Sequence, residues 1–96
     1  MLQATYNLET IKALIQKGEF FITVSAQQGA RQLGFDHGEI VECVLVLGFS
    51  DFYKTMPSEK IPGLFQDVYR PEFKGKSLYV KLQVTSKAVV ISFKEK

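Results

Sequence analysis

The 96-residue sequence predicts an α+β fold with two layers, in which N-terminal helices pack on one face of a mainly antiparallel sheet. Two observations lead to this prediction: the first half has helical periodicity with capping residues, and the second half alternates apolar and polar residues. Helices followed by strands along the chain are typical of this class. We expect one domain over residues 1–96, with a helical half over about 7–48 and a β-meander over about 50–96.

The first helix is predicted by a cap, an apolar stripe and a stop. Asn7 is a candidate N-cap, and Gly18 can adopt the left-handed conformation that ends a helix. Between them, apolar residues recur at helical spacing: Leu8, Ile11, Leu14 and Ile15. The apolar stretch FFITV then predicts a short strand over residues 20–24.

Two further helices are predicted by capping boxes. Ser25 with Gln28 predicts a short second helix that runs through residue 33 and ends at Gly34. Asp36 with Glu39 predicts a third helix over residues 37–47. Because this third helix is almost entirely apolar, we expect it to be buried on most sides and to carry no chemistry.

Cysteine and histidine are too scarce to build a metal centre. Cys43 is the only cysteine, which excludes an internal disulfide and a thiolate zinc cage. We interpret Cys43 as a small core residue, and His37 as an exposed residue at a helix start. No cofactor or metal is predicted. Without a membrane-spanning run or a signal-peptide pattern, the sequence favours a cytoplasmic protein with no membrane association.

The second half reads as strands around an unusual segment. DFYKTM, residues 51–56, alternates like a strand, whereas LFQDVYRPEF, residues 64–73, fits neither a plain strand nor a loop. Pro71 excludes a helix there and favours the end of a strand. From Ser77 onward the alternation is clear, with Leu78, Val80, Leu82 and Val84 on one face and Tyr79, Lys81 and Gln83 on the other.

The last two strands can be aligned as a hairpin. In the final strand, Val89, Ile91 and Phe93 are predicted to point inward, and Val90, Ser92 and Lys94 outward. A two-residue loop of Ser86 and Lys87 gives the predicted pairs Val80–Phe93, Leu82–Ile91, Val84–Val89, Tyr79–Lys94 and Lys81–Ser92. A phenol beside ammonium groups on an open sheet face is a candidate anion site, because positive charge favours the phenolate and holds a phosphate. The alternative is that these lysines only solvate the surface.

Charge is distributed unevenly along the chain. Residues 51–96 carry nine lysines and arginines against five acidic residues, whereas residues 1–50 carry three against five. The basic half is suited to a polyanion, although lysines on strand faces are also ordinary surface residues.

The segments DFYKTM, FQDVYRP, LYVKLQV and VVISFKEK resemble, in order and spacing, the MqsR family of bacterial toxins. The helical half, with KALIQKGEFFITVSA, is similar more loosely. The family resemblance implies a RelE-like fold and a messenger-RNA interferase activity. It places the implicated catalytic positions on Lys54, Gln66, Tyr79 and Lys94. The sequence departs from the family pattern at Phe65, where a tryptophan is usual, and in the segment SEKIPGL.

The resemblance implies cleavage of single-stranded mRNA by attack of the 2′-hydroxyl, without a metal. Tyr79 is then the candidate acid or base, Lys54 and Lys94 hold the phosphate, and Gln66 contacts the scissile group or a base edge. Lys81 and Arg70 are candidate substrate contacts, and for Arg70 a structural ion pair with Asp67 is an equal alternative. Tyr53, Tyr69 and Phe65 are candidates for base stacking or for core packing.

The implied partner is a cognate zinc-containing antitoxin of the MqsA type, and contact with DNA is expected only through the antitoxin complex. Two alternatives stay open. The protein could be a non-catalytic RNA-binding or antitoxin-docking protein, or its cleavage could depend on the ribosome, as in RelE-type enzymes.

Overall fold

A computed structural model describes residues 3–96, in which helices precede most of a six-stranded sheet. The helices are α1 (Leu8–Gln16), α2 (Val24–Gln32) and α3 (His37–Leu45), and a 3₁₀ turn covers Phe49–Asp51. The strands are β1 (Phe20–Ile22), β2 (Phe52–Pro57), β3 (Phe65–Tyr69), β4 (Glu72–Phe73), β5 (Lys76–Val84) and β6 (Ala88–Glu95). No helix within residues 3–96 is long and apolar enough to cross a membrane.

The sheet is mixed but mainly antiparallel. Its strand order is β1-β6-β5-β3-β2; β1 runs parallel to β6, the other neighbours are antiparallel, and β4 pairs with the start of β5. The core lies between the helices and one sheet face, where Ile11 and Ile40 pack with Val80 and Phe93. The predicted α+β architecture is therefore confirmed, and its likeness to the RelE fold stays a prediction.

The caps of the first and third helices are confirmed. The Asn7 side chain accepts a hydrogen bond from the Thr10 backbone N–H, 3.1 Å away. Asp36 and Glu39 form the reciprocal capping box, with distances of 2.9 and 3.0 Å. The third helix is shorter than predicted, because it ends at Leu45. Val46, the next residue, is 65% exposed. The expected burial of this segment therefore fails at Val46, whereas Leu47, the last residue of the predicted helix, is buried.

The start of the second helix differs from the prediction. Thr23, not Ser25, is the N-cap: its hydroxyl accepts from the Ala26 N–H and donates to the Ile91 carbonyl, 2.8 Å away. β1 therefore ends at Ile22, and Ser25 lies in the first helical turn. The Thr23 hydroxyl caps the helix in place of the Ser25 hydroxyl because it also hydrogen-bonds the β6 backbone and so fixes the helix start to that strand. As a result, α2 packs along β6 beyond the end of β1, where the sheet edge would otherwise be open.

A β-bulge shifts two of the five predicted hairpin pairs. Tyr79–Lys94, Lys81–Ser92 and Val80–Phe93 pair as predicted, but Leu82 pairs with Val90 rather than Ile91. Beyond the bulge Val84 pairs with Ala88 instead of Val89, so the loop contains three residues. Consequently Val90 is buried in the core, and the predicted inward orientation of Val89 and Ile91 is wrong.

Cys43 lies in the core, which confirms its interpretation as a small packing residue. Burial is the largest cause that raises the pKa of its thiol from 9.0 to about 12, with Asp51 and Glu42 adding to the shift. Because the thiolate is the reactive form, alkylation by iodoacetamide at pH 8 should be at least about 1000-fold slower in the native protein than in urea. Mass spectrometry of timed samples measures both rates. Comparable rates would mean that Cys43 is accessible.

Candidate active site

Alternation along the strands gives the sheet two faces. The core face packs against the helices and includes Leu78, Val80 and Leu82. The opposite face, which we call the open face, presents Lys54, Gln66, Val68, Tyr79, Lys81, Gln83, Ser92 and Lys94. All four predicted catalytic residues therefore lie on the open face.

Tyr79 and Lys94 are direct cross-strand neighbours on this face. They pair in the β5–β6 ladder, and the Lys94 ammonium lies 5.1 Å from the centroid of the Tyr79 ring. Tyr79 is half-buried and Lys94 is exposed. The register that brings a phenol next to an ammonium group is thus confirmed.

The next row of cross-strand neighbours on the open face contains two more lysines on either side of a buried valine. Lys54 and Lys81 flank Val68, which pairs with both. Val68 is completely buried, yet it is not part of the core cluster, because it lies on the open face under its lysine neighbours. Adjacent strands are about 4.8 Å apart, so the two lysine backbones are separated by roughly 10 Å, a spacing that allows both ammonium groups to approach one phosphate.

A second bulge places Tyr53 beside this row. Tyr53 is the unpaired residue between Phe52 and Lys54, and it is 41% exposed. The Arg70 guanidinium lies 4.4 Å and the Lys54 ammonium 5.4 Å from the centroid of its ring. Two of the four predicted substrate contacts, Arg70 and Tyr53, thus lie together, and Tyr53 also contacts Lys54.

The segment around β3 resolves into two alternating sets of side chains. Gln66 and Val68 lie on the open face, whereas Asp67 and Tyr69 lie on the core face and are fully buried. Asp67 accepts hydrogen bonds from the Thr5 and Tyr6 backbone N–H groups, at 3.0 and 2.8 Å, and so anchors the segment that leads into α1. These two hydrogen bonds account for a buried acidic residue in the middle of β3.

The prediction that Tyr69 contacts substrate is wrong. Its side chain is part of the core, and burial, followed by the charge of Asp67, raises the pKa of its hydroxyl to about 12. Within residues 3–96 this hydroxyl has no hydrogen-bond partner. Phe65 alternates with Gln66 and therefore also belongs to the core-face side of β3, although it is 42% exposed.

The alternative ion pair between Arg70 and Asp67 is also wrong, because Asp67 is occupied by the backbone of Thr5 and Tyr6. In the described part of the chain, the ion pairs are Lys12–Glu9, Lys74–Glu39 and Lys74–Glu42. None of these pairs neutralises a basic residue of the predicted site. The open face therefore presents positive charge that is available to an anionic ligand.

Gln66 lies farther from the tyrosine than the sequence suggested. It hydrogen-bonds to Gln83, with 3.1 Å between Nε2 and Oε1, two rows away from Tyr79. At about 3.3 Å per residue, these rows are roughly 13 Å apart. Gln66, Lys81, Gln83 and Ser92 line one cleft of about 380 Å³ on the open face. Sequence reasoning placed Gln83 on this face but assigned it no role, because its contact with Gln66 depends on the order of strands.

His37 lies outside this arrangement. It is exposed at the start of α3, with its ring centroid 6.1 Å from that of Phe20. Residues 3–96 contain no group of three or more His, Cys, Asp and Glu side chains placed to hold a metal ion.

The sequence is similar to known toxins over almost its whole length. Residues 3–95 match the family model described as motility quorum-sensing regulator, toxin of MqsA. A relative from Escherichia coli (strain K12), named mRNA interferase toxin MqsR, is 36% identical over 89 residues. The match covers 93% of this chain and 91% of the relative, so it includes the helices as well as the open face.

Proposed function

Because the chain belongs to the MqsR toxin family, we propose that it is the toxin of a toxin–antitoxin pair and an endoribonuclease that cleaves mRNA. The observation that carries this proposal is the contact between Tyr79 and Lys94 on a basic face, none of whose lysines forms an ion pair within residues 3–96. An anionic single strand fits an open, positively charged sheet, and exposed aromatic rings such as Tyr53 can stack its bases.

The proposed reaction is a transesterification within the RNA. The 2′-hydroxyl oxygen bonds to the adjacent phosphorus while its proton leaves to a base, and the bond from phosphorus to the 5′-oxygen breaks as that oxygen gains a proton. Tyr79 serves as the acid or the base. Lys94 and Lys54 stabilise the additional negative charge of the phosphorane, which is largest in the transition state.

The remaining residues of the open face position the substrate in this proposal. Arg70 and Lys81 bind the phosphates that flank the cut, because both are positively charged and lie near the residues of the proposed reaction. Tyr53, which contacts Arg70 and Lys54, offers an exposed part of its ring to a base. Gln66 contacts the RNA from the cleft rather than from the immediate surroundings of Tyr79.

We further propose that the partner is a zinc-containing antitoxin of the MqsA type, that any contact with DNA goes through that partner, and that the pair acts in the bacterial cytoplasm. The family description names MqsA as the counterpart of its toxins. A basic face of this kind binds nucleic acid broadly, so a cell needs a protein that masks it.

Purified protein incubated with a ribosome-free transcript in excess EDTA should cut it at discrete sites. The fragments should end in a 2′,3′-cyclic phosphate and begin with a 5′-hydroxyl, because the nucleophile belongs to the substrate. A 2′-deoxy residue immediately upstream of the cut should block cleavage at that site, and a deoxy residue several positions away serves as the control.

Each other outcome points to a different protein. Intact RNA that is cut only when translating ribosomes are added would indicate ribosome-dependent cleavage. RNA that is bound but never cut would indicate a binding protein. Fragments with 5′-phosphate ends would indicate attack by water, and would contradict the role given to the 2′-hydroxyl.

A further inference from the structure

We infer that the cleft lined by Gln66, Gln83 and Ser92 is a nucleobase subsite, in which Gln83 determines which base is accepted next to the cut. This inference rests on the proposed ribonuclease function. It assigns sequence selectivity to a residue that takes no part in the proposed reaction of Tyr79, Lys94 and Lys54. The cleft, of about 380 Å³, has the open face as its floor. Its walls are the β2–β3 loop, with Ser58 and Ile61, and the start of α2.

The hydrogen-bonding groups of the cleft suit a heterocycle better than a phosphate. Gln66 donates to Gln83, which leaves the Gln66 carbonyl oxygen as an acceptor and the Gln83 amide N–H₂ group as a donor without a partner within residues 3–96. Adjacent acceptor and donor groups are complementary to the edges of bases, which proteins read with side-chain amides. The Ser92 hydroxyl, also in the cleft, adds a group that can donate or accept.

Apolar side chains line the same cleft and can cover the face of a base. The β6 bulge turns Ile91 out of the core, so that it lines the cleft beside Ser92. Ile61 contributes a second apolar side chain from the loop and is 54% exposed. Ile61 and Ile91 can therefore pack against the faces of a base that enters the cleft.

The loop that forms the wall is held in place before any ligand binds. The Ser58 hydroxyl accepts hydrogen bonds from the Lys60 and Ile61 backbone N–H groups, each at 3.2 Å. The Ser58 N–H donates to the Leu64 carbonyl at 2.8 Å and closes the loop at its base. A preformed wall can discriminate between bases, because the loop does not move to accommodate a wrong base.

The cleft is one row from the lysines that bind phosphate in the proposed reaction. Gln83 is two residues from Lys81 along β5, a distance of roughly 7 Å, and Lys81 itself lines the cleft. A nucleotide whose phosphate contacts Lys81 can therefore place its own base against Gln83. The subsite would thus read a nucleotide immediately beside the scissile bond.

The test is to replace Gln83 with leucine and to cleave an RNA library that is randomised around one cut site. Q83L keeps the approximate size and removes the amide, so selectivity at one position next to the cut should fall about 10-fold, while selectivity at other positions persists. Gln28→Leu, at an exposed position on α2, is the matched control and should leave the cut pattern unchanged.

The outcomes separate the subsite from the function on which it rests. A uniform rate loss in Q83L with an unchanged cut pattern would overturn the inference. If the wild-type protein cuts no RNA, the proposed function fails, and binding of non-cleavable 2′-O-methyl oligonucleotides that differ at one base then decides about the cleft. Equal base preference of wild type and Q83L in that binding assay would also overturn it.

Discussion

Replacing Tyr79 with phenylalanine is expected to slow single-turnover RNA cleavage by about 100-fold or more, while urea unfolding changes by no more than about 0.5 kcal/mol. The variant deletes one hydroxyl and keeps the ring, so the contact with Lys94 is preserved. A hydroxyl that transfers a proton or binds charge in the transition state cannot be replaced by a hydrogen atom. Tyr79 is half-buried on the open face, where the loss of one hydroxyl affects folding little.

The buried Tyr69 supplies a matched control. Its hydroxyl has no partner within residues 3–96, so Tyr69→Phe should leave cleavage unchanged. Its stability should stay the same or rise by up to about 2 kcal/mol.

Lys94→Ala should also slow cleavage, and the double variant with Tyr79→Phe should be little worse than the slower single variant. Near-normal cleavage by Tyr79→Phe would remove this tyrosine from the mechanism, and multiplicative losses would mean that the two side chains act independently.

The sequence predicted the site where alternation is regular and failed where a strand carries an extra residue. A two-residue loop predicts the Tyr79–Lys94 pair, but the loop contains three residues; the extra residue of the β6 bulge offsets this difference, so the predicted pairs are correct from Lys81–Ser92 to Tyr79–Lys94. Between the loop and the bulge the predicted pairs are wrong, and Ile91 changes faces. Bulges leave no reliable trace in an alternating pattern, since each inserts one residue without a turn signal. Both bulges, at Tyr53 and Ile91, direct an additional side chain to the vicinity of the site.

Tertiary partners explain the other errors of prediction. Ser25 with Gln28 fits a capping box and Thr23 does not, but the Thr23 hydroxyl caps the helix and also hydrogen-bonds the β6 backbone. Asp67 and Arg70 suit an ion pair by sequence distance, yet Asp67 faces the core and is satisfied by the N-terminal segment. The contact between Gln66 and Gln83 requires β3 and β5 to be neighbours, which the chain order does not determine. These features depend on which elements meet, and a single sequence does not encode that locally.

The largest expected effect on stability concerns Gly29, which packs against the backbone of β6. A Cβ atom at this position would lie 2.0 Å from the Phe93 carbonyl oxygen and 3.5 Å from the Lys94 Cβ atom. Backbone cannot rotate away from such a clash, so Gly29→Ala must push α2 and β6 apart. We expect a loss of about 3 kcal/mol or more in the free energy of unfolding. The melting temperature should fall by roughly 12 °C or more.

The same displacement should reach the site, because the clash occurs at the residue before Lys94. Cleavage measured well below the melting temperature should therefore also decrease in Gly29→Ala, as β6 moves relative to Tyr79. Gly38→Ala is the control: it lies in α3, its added Cβ meets only the Asp36 Oδ1 atom at 3.5 Å, and its stability should be unchanged or higher by up to about 1 kcal/mol. Both variants are measured by thermal and urea unfolding. Equal stability of the two variants would mean that α2 and β6 do not approach as closely as described. The position of Lys94 would then not depend on the packing of Gly29 against β6.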